Sequence, residues 1–144
     1  MTGPELSDEQ ATKPSGRVEI RVDAHPGQLS VIRAVAGDLA MRQDFDLDSI
    51  SDLRMAVDEA CTTLIHLAAV GAVLRCQFQT LPGEIRVIAE VLSADGVGPR
   101  QDTFGWRVLS TLSDAVSASV EPAAAEPGGH VVRIELVKKR VVDG

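Results

Sequence analysis

The chain has 144 residues, a hydrophobic fraction of 44% and a formal net charge of −7. That length suits one domain with a real core, and the acidic balance argues against broad binding to a nucleic-acid backbone. No apolar run approaches the roughly 20 residues that span a bilayer, and the N-terminus has no signal-peptide pattern. We therefore predict a cytoplasmic protein without membrane or direct nucleic-acid contacts.

The chain begins with a polar segment, a strand and a helix. Residues 1–16 are rich in Pro, Gly, Ser and acids, which predicts a disordered N-terminal arm. Residues 17–23 (RVEIRVD) alternate apolar and charged side chains, as a half-buried strand does. A break at residues 25–27 then starts a first helix. Its predicted apolar face consists of Leu29, Ile32, Val35, Ala36 and Leu39.

A second helix follows and is expected to run to about Val70. Asp48 or Ser49 is expected to cap it, because a short side-chain oxygen satisfies free backbone N–H groups. Cys61 lies on its apolar face, and neither Cys61 nor Cys76 has metal-ligand spacing, so both are predicted to be buried free thiols. The inward face consists of Ile50, Leu53, Val57, Ala60, Cys61, Leu64 and Ile65.

The remaining chain predicts four strands and one short helix. The strands are 73–80, 84–92, 115–120 and 130–137, and the helix is 104–112. Grouped helices between strands joined by tight turns predict an α+β fold. We expect a two-layer α/β sandwich, with a mixed, mostly antiparallel sheet covered on one face by helices. This domain is predicted to span residues 17–139, with residues 140–144 as a C-terminal tail.

Glu59 is an acid in the middle of an apolar helical pattern, residues 52–68 (DLRMAVDEACTTLIHLA). Helix spacing places it on the same side as Met55 and Thr63. One interpretation is a solvated edge of an amphipathic helix. The other is a nucleotide site, because the glycines of a D-G-V-G turn and Gly105 downstream allow close approach of phosphate to backbone N–H groups.

The run from Pro26 to Ile65 resembles bacterial anti-sigma factors of the RsbW-like serine-kinase type. They belong to the ATPase group shared by gyrase, Hsp90, histidine kinases and MutL, which has a Bergerat-type, histidine-kinase-like fold. The specific motifs are L-x-x-I-R, which ends at Arg33, and A-V-x-E-A-C-T, which contains Glu59. The resemblance extends over residues 17–139.

The resemblance implies a function and a set of partners. Such proteins sequester an alternative sigma factor of the stress or sporulation class, act as homodimers, and use ATP and Mg²⁺ to phosphorylate an anti-anti-sigma factor on serine. It makes Glu59 the catalytic base and places Thr63 where the family has a Mg²⁺-binding asparagine. It also places Arg33 at the surface that binds partner proteins.

The nucleotide-binding motifs depart from the family pattern. Gly96 and Gly98 fit the first glycine box, but its adenine-reading aspartate is replaced by Ala94, and the acid has moved to Asp95. The second box retains only Gly105. A threonine hydroxyl is also a weaker ligand for octahedral Mg²⁺ than an asparagine carbonyl.

Three functions therefore remain open from the sequence. The favoured one is a regulatory anti-sigma factor that is relieved by its antagonist through partner switching. The alternatives are an active ATP-dependent serine kinase with the same partners, and a small-molecule sensor built on the same sandwich.

Overall fold

The computed structural model describes residues 16–125 and 127–142. The strands are β1 (Arg17–Asp23), β2 (Val73–Leu81), β3 (Glu84–Ser93), β4 (Ala115–Pro122) and β5 (His130–Lys139). The helices are α1 (Leu29–Arg42), α2 (Leu47–Leu67) and α3 (Phe104–Leu112), and a 3-10 turn, Pro26–Gln28, precedes α1. The arm predicted for residues 1–16 lies, apart from Gly16, outside the described residues, as does the end of the predicted tail.

The five strands form one sheet in the order β1-β2-β3-β5-β4, and all four pairings are antiparallel. The predicted two-layer α+β sandwich is confirmed, but the sheet is not mixed in the described part of the chain. The reason lies in the connections. The two helices between β1 and β2 return the chain in the opposite direction, and β2 and β3 are joined by a two-residue turn.

The core lies between the helices and one face of the sheet. Alternate residues of β2 and β3 point toward the helices, as the period of two requires, and burying each large apolar side chain contributes roughly 1.5–3 kcal/mol. None of the described helices is long and apolar enough to cross a membrane. Among the fully buried side chains are Ile32, Leu53, Val57, Leu64, Leu74, Phe78, Ile85, Val87, Leu109 and Ile134.

The ends of α2 differ from the sequence prediction. Asp46, rather than Asp48 or Ser49, is the N-cap, and its carboxylate accepts a hydrogen bond from the Ser49 backbone N–H at 2.9 Å. Asp46 has the extended backbone that an N-cap requires, whereas Asp48 and Ser49 are already helical. The helix ends at Leu67 instead of Val70, because Ala68 has extended backbone angles.

The face of the sheet opposite the helices carries a row of alternating charges, which we call the charge ladder. It consists of Glu19, Arg75, Glu90, Arg133 and Glu121, one residue from each strand. Consecutive members are joined at 3.0, 2.6, 2.9 and 3.5 Å. Every strand is therefore linked to its neighbour through a charged side chain as well as through backbone hydrogen bonds.

Candidate functional site

Glu59 lies in the middle of α2, half-buried, where α2 meets the first turn of α3. A Cβ placed on Gly105 would lie 2.9 Å from Glu59 Oε1, so the absence of a side chain at Gly105 lets the carboxylate reach the start of α3. Free N–H groups at a helix N-terminus favour a negative charge. The structure thus brings together the helix carboxylate and the second glycine element of the predicted site.

Thr63 lies one turn after Glu59 on α2, also half-buried. Its hydroxyl donates a hydrogen bond to the Glu59 backbone carbonyl at 2.9 Å, which is the usual i−4 bond of a helical threonine. Within the described residues, no three His, Cys, Asp or Glu side chains are grouped so that they would hold a metal ion. Thr63 therefore has a structural hydrogen bond and no cluster of acidic ligands around it.

The Asp95 carboxylate forms hydrogen bonds within its own loop. Its carboxylate accepts hydrogen bonds from the Ser93 hydroxyl at 2.8 Å and from the Val97 backbone N–H at 3.1 Å. These bonds, that from Val97 most strongly, lower the pKa of Asp95 below its usual value. The acid that follows the altered adenine-reading position, Ala94, thus stabilises a turn.

Both glycines of the first box are covered by side chains from other strands. Gly96 has a φ of +71°, and a Cβ there would meet three ring atoms of His130 at 2.9–3.0 Å. A Cβ on Gly98 would lie 3.0 Å from Val120 Cγ2. The backbone that would approach a phosphate or a base is therefore already in contact with β4 and β5.

His130 is a residue of this region that sequence reasoning missed. It opens β5, pairs with Ser93 of β3 across the sheet, and its Nδ1 is buried without a hydrogen-bond partner. The available signal was the alternation of HVVRIELV. It places His130 on the same face as the buried Val132 and Ile134, so an imidazole had to be accommodated at the end of the core.

The beginning of α3 is closed by a helix cap. The Thr103 hydroxyl accepts a hydrogen bond from the Trp106 backbone N–H at 3.1 Å, and Trp106 itself packs against the core. Together with the contacts of Gly96 with His130 and of Gly105 with Glu59, this cap engages backbone groups of both glycine elements. In this arrangement these groups make contacts within the protein, and they are not open to ATP and Mg²⁺.

A second region of interest is the outer surface of α1 and α2, where Arg33 and Asp58 form an ion pair of 3.1 Å. The two side chains are 40% and 34% exposed, so the pair is accessible to a partner. Grooves of 330 and 340 Å³ lie beside it, and Arg33 and Arg54 line both. The exposed apolar side chains on these two helices are Val31, Met41, Leu47 and Met55.

The two cysteines are buried, as predicted. A hydrogen bond with the Cys61 thiol, together with burial, raises the pKa of Cys76 well above its usual value. Because the thiolate is the reactive form, Cys76 is held in its unreactive form and has a structural role in the core.

Comparison with known proteins identifies sequence relatives of this chain. No family model matches the chain. The chain is 35% identical over 127 residues to the anti-sigma-F factor RsbW of Mycobacterium tuberculosis (strains CDC 1551 and H37Rv), covering 85% of this chain and 73% of the relative. It is 37% identical to the serine-protein kinase RsbW of Bacillus subtilis strain 168 over 51 residues, which are 35% of this chain and 32% of that one.

Two solved structures share the fold. One belongs to the SiaB–SiaC complex from Pseudomonas aeruginosa, with a TM-score of 0.66, 11% identity and coverage of 92% of this chain and 96% of that one. The other contains the RsbU and RsbW domains of Rv1364c from M. tuberculosis, with a TM-score of 0.52, 20% identity and coverage of 88% and 34%. At these identities the likeness concerns the fold alone.

Proposed function

This chain belongs to the RsbW family of anti-sigma factors, and from that premise we propose that it binds and sequesters an alternative sigma factor of the stress or sporulation class. An anti-anti-sigma factor then captures the chain and releases the sigma factor. In this proposal the chain acts in the cytoplasm as a homodimer, and regulation of transcription comes from the exchange of one protein partner for the other.

The observation that carries the proposal is the outer surface of α1 and α2 around Arg33. A half-exposed arginine beside grooves and exposed methionines is typical of protein interfaces, where Arg and Met are enriched and a few anchors supply most of the affinity. Asp58 holds the Arg33 guanidinium at 3.1 Å, which limits the entropy that the side chain loses when a partner binds.

This surface does not include the groups of the nucleotide site. Arg33 and Arg54 line the grooves between α1 and α2, whereas Gly96 and Gly105 contact His130 and Glu59. Sequestration by this surface would therefore need no bound nucleotide. Competition between the sigma factor and the antagonist for the chain would be sufficient to switch partners.

The experiment is an affinity measurement on two charge reversals. Arg33→Glu should weaken binding of the sigma factor, the antagonist or both by about 2 kcal/mol, or roughly 30-fold. Arg100→Glu is the matched control, because Arg100 also forms an ion pair, with Asp102 at 2.8 Å, but lies outside α1 and α2 and lines neither groove.

The expected result is a loss of affinity for Arg33→Glu and unchanged affinity for Arg100→Glu, with both variants as stable as the natural chain. Equal affinities for the Arg33→Glu variant and the natural chain, toward both partners, would remove this surface from the proposal. Equal losses for the two variants would instead indicate a general electrostatic effect of charge reversal.

The second candidate function is phosphorylation of the antagonist by ATP. The observation that favours it is the half-buried carboxylate of Glu59 at the start of α3, in the position of a general base. Two relatives are named serine-protein kinases. The test incubates the chain and the antagonist with radiolabelled ATP and Mg²⁺. Transfer of label that is lost in Glu59→Gln would establish the kinase, and the absence of label would leave partner competition.

A further inference from the structure

His130 is the first residue of β5, and its side chain faces the helices. It lies at the end of the sheet where the D-G-V-G loop leaves β3. Its cross-strand partner on β3 is Ser93, whose side chain is fully buried, and its partner on β4 is Pro122. The neighbouring loop is fixed by Asp95, which bonds the Ser93 hydroxyl at 2.8 Å. The imidazole therefore lies between the end of the core and a loop whose turn is stabilised by the Asp95 carboxylate.

The ring is held there by its shape rather than by hydrogen bonding. Nδ1 is buried and has no partner, and a buried nitrogen without a partner costs free energy rather than contributing it. The favourable contact is with Gly96, whose missing Cβ would lie 2.9 Å from both Cε1 and Nδ1 and 3.0 Å from Nε2. Three nearly equal distances mean that Gly96 lies over the ring rather than against one of its atoms.

A planar group is thus already packed on the glycine that sequence analysis assigned to nucleotide binding. We propose that the His130 imidazole is a built-in occupant of the base end of the nucleotide site, and that it closes this chain to purine nucleotides. The proposal extends the proposed function, because partner exchange then proceeds without ATP. In this proposal the His130 ring is the main obstacle to nucleotide binding, and the altered residues Thr63 and Ala94 contribute less.

Two variants separate the volume of the ring from its chemistry. His130→Ala removes the ring and leaves open space over Gly96, whereas His130→Leu keeps that space filled with a side chain of similar size but without nitrogen. If the ring acts by filling space, His130→Leu remains closed to nucleotide. Because it removes the buried Nδ1 that lacks a partner, His130→Leu should also unfold at the same temperature as the natural chain or at a higher one.

The experiment is calorimetric titration of the full chain and both variants with ADP and Mg²⁺ and with ATP and Mg²⁺. The natural chain and His130→Leu should show no saturable binding, whereas His130→Ala should bind saturably, at least about tenfold more tightly than the weakest binding that the titration can detect. Micromolar binding by the natural chain, or a folded His130→Ala variant that gains nothing, would overturn the proposal. Equal gains in both variants would show that the ring does not act by its volume.

A measurement on the natural chain keeps the proposal testable even if His130→Ala fails to fold. In an NMR titration with millimolar ATP and Mg²⁺, the amide signals of Gly96 and Gly98 and the ring signal of His130 should not move. Shifts of all three would place a nucleotide there and refute the proposal. Sigma-factor affinity, measured in parallel on the natural chain, tests the proposed function separately. If the natural chain did not bind the sigma factor, the proposed function would fail, but the nucleotide result would still stand.

Discussion

The contact between Gly96 and His130 can be measured through its effect on the free energy of unfolding, by substituting alanine for Gly96. Gly96 and Gly83 have nearly the same positive φ, +71° and +74°. They differ in their surroundings, because a Cβ on Gly96 would meet the His130 ring at 2.9 Å, whereas nothing lies within 4 Å of a Cβ on Gly83. Alanine at Gly83 therefore reports the backbone strain alone, and alanine at Gly96 reports strain plus the clash with the ring.

The expected magnitudes follow from these distances. An L-residue in the left-handed region costs roughly 1–2 kcal/mol, which is the expected loss for Gly83→Ala. Forcing the ring of His130 to move adds about 1–3 kcal/mol of overpacking, so Gly96→Ala should lose about 2–5 kcal/mol in total. In a His130→Ala background, Gly96→Ala should cost no more than Gly83→Ala, because the clashing ring is gone.

The assay is urea unfolding of the natural chain and these variants, followed by circular dichroism, with His130→Ala completing a double-mutant cycle. The cycle should give a coupling energy of about 1–3 kcal/mol between Gly96 and His130. If Gly96→Ala and Gly83→Ala are equally destabilising, or if the effects at Gly96 and His130 are additive, then the ring does not lie over the glycine and the reasoning is wrong.

Three further predictions concern other parts of the chain. Glu59→Gln should leave sigma-factor affinity unchanged, since Glu59 lies at α3 and not in the α1–α2 grooves; a large loss measured by calorimetry in a folded variant would contradict this. Lys138→Met should destabilise the fold by about 1–3 kcal/mol in urea, because the Lys138 ammonium donates to the Leu112 carbonyl at 3.0 Å; unchanged stability would show that this bond contributes nothing. Ser93→Ala should raise the pKa of Asp95 toward its usual value, and NMR titration of the carboxyl checks this. Since the folded-state pKa is lowered, the stabilisation by ionised Asp95 is intact above the unfolded-state pKa and is lost as the pH falls through the lowered value.

Much of the fold could be predicted from the sequence because its periodicities are clean. The alternation in residues 17–23 defined β1, and the predicted bounds of α3, 104–112, agree with the structure. The N-cap of α2 was missed because three acids stand close together, and only the extended backbone of Asp46 distinguishes it from Asp48. Local patterns identify an element well, but they do not determine which of several equivalent side chains caps it.

The candidate site was less predictable, because it depends on contacts between strands distant in the chain. That Glu59 faces a glycine at the start of α3 followed from helix spacing and from Gly105, and the structure places the two in contact. The position of His130 over Gly96 required the pairing of β3 with β5, which no local pattern specifies. Whether Glu59 and Thr63 take part in chemistry remains a prediction, and Arg33 remains a proposed partner contact.

The charge ladder on the open face of the sheet has a consequence for how the strands find their register. A slip of two residues keeps every inward side chain inward, so the apolar core discriminates poorly against it. The charges do discriminate, because Glu90 faces Arg133 in the native register, and a two-residue slip of β5 would bring it opposite Val131 or Glu135. One such slip opposes two like charges, and the other leaves Glu90 without a partner on β5. The charged residues on the solvent-facing side of this sheet therefore disfavour two-residue misalignments of β5 against β3 during folding.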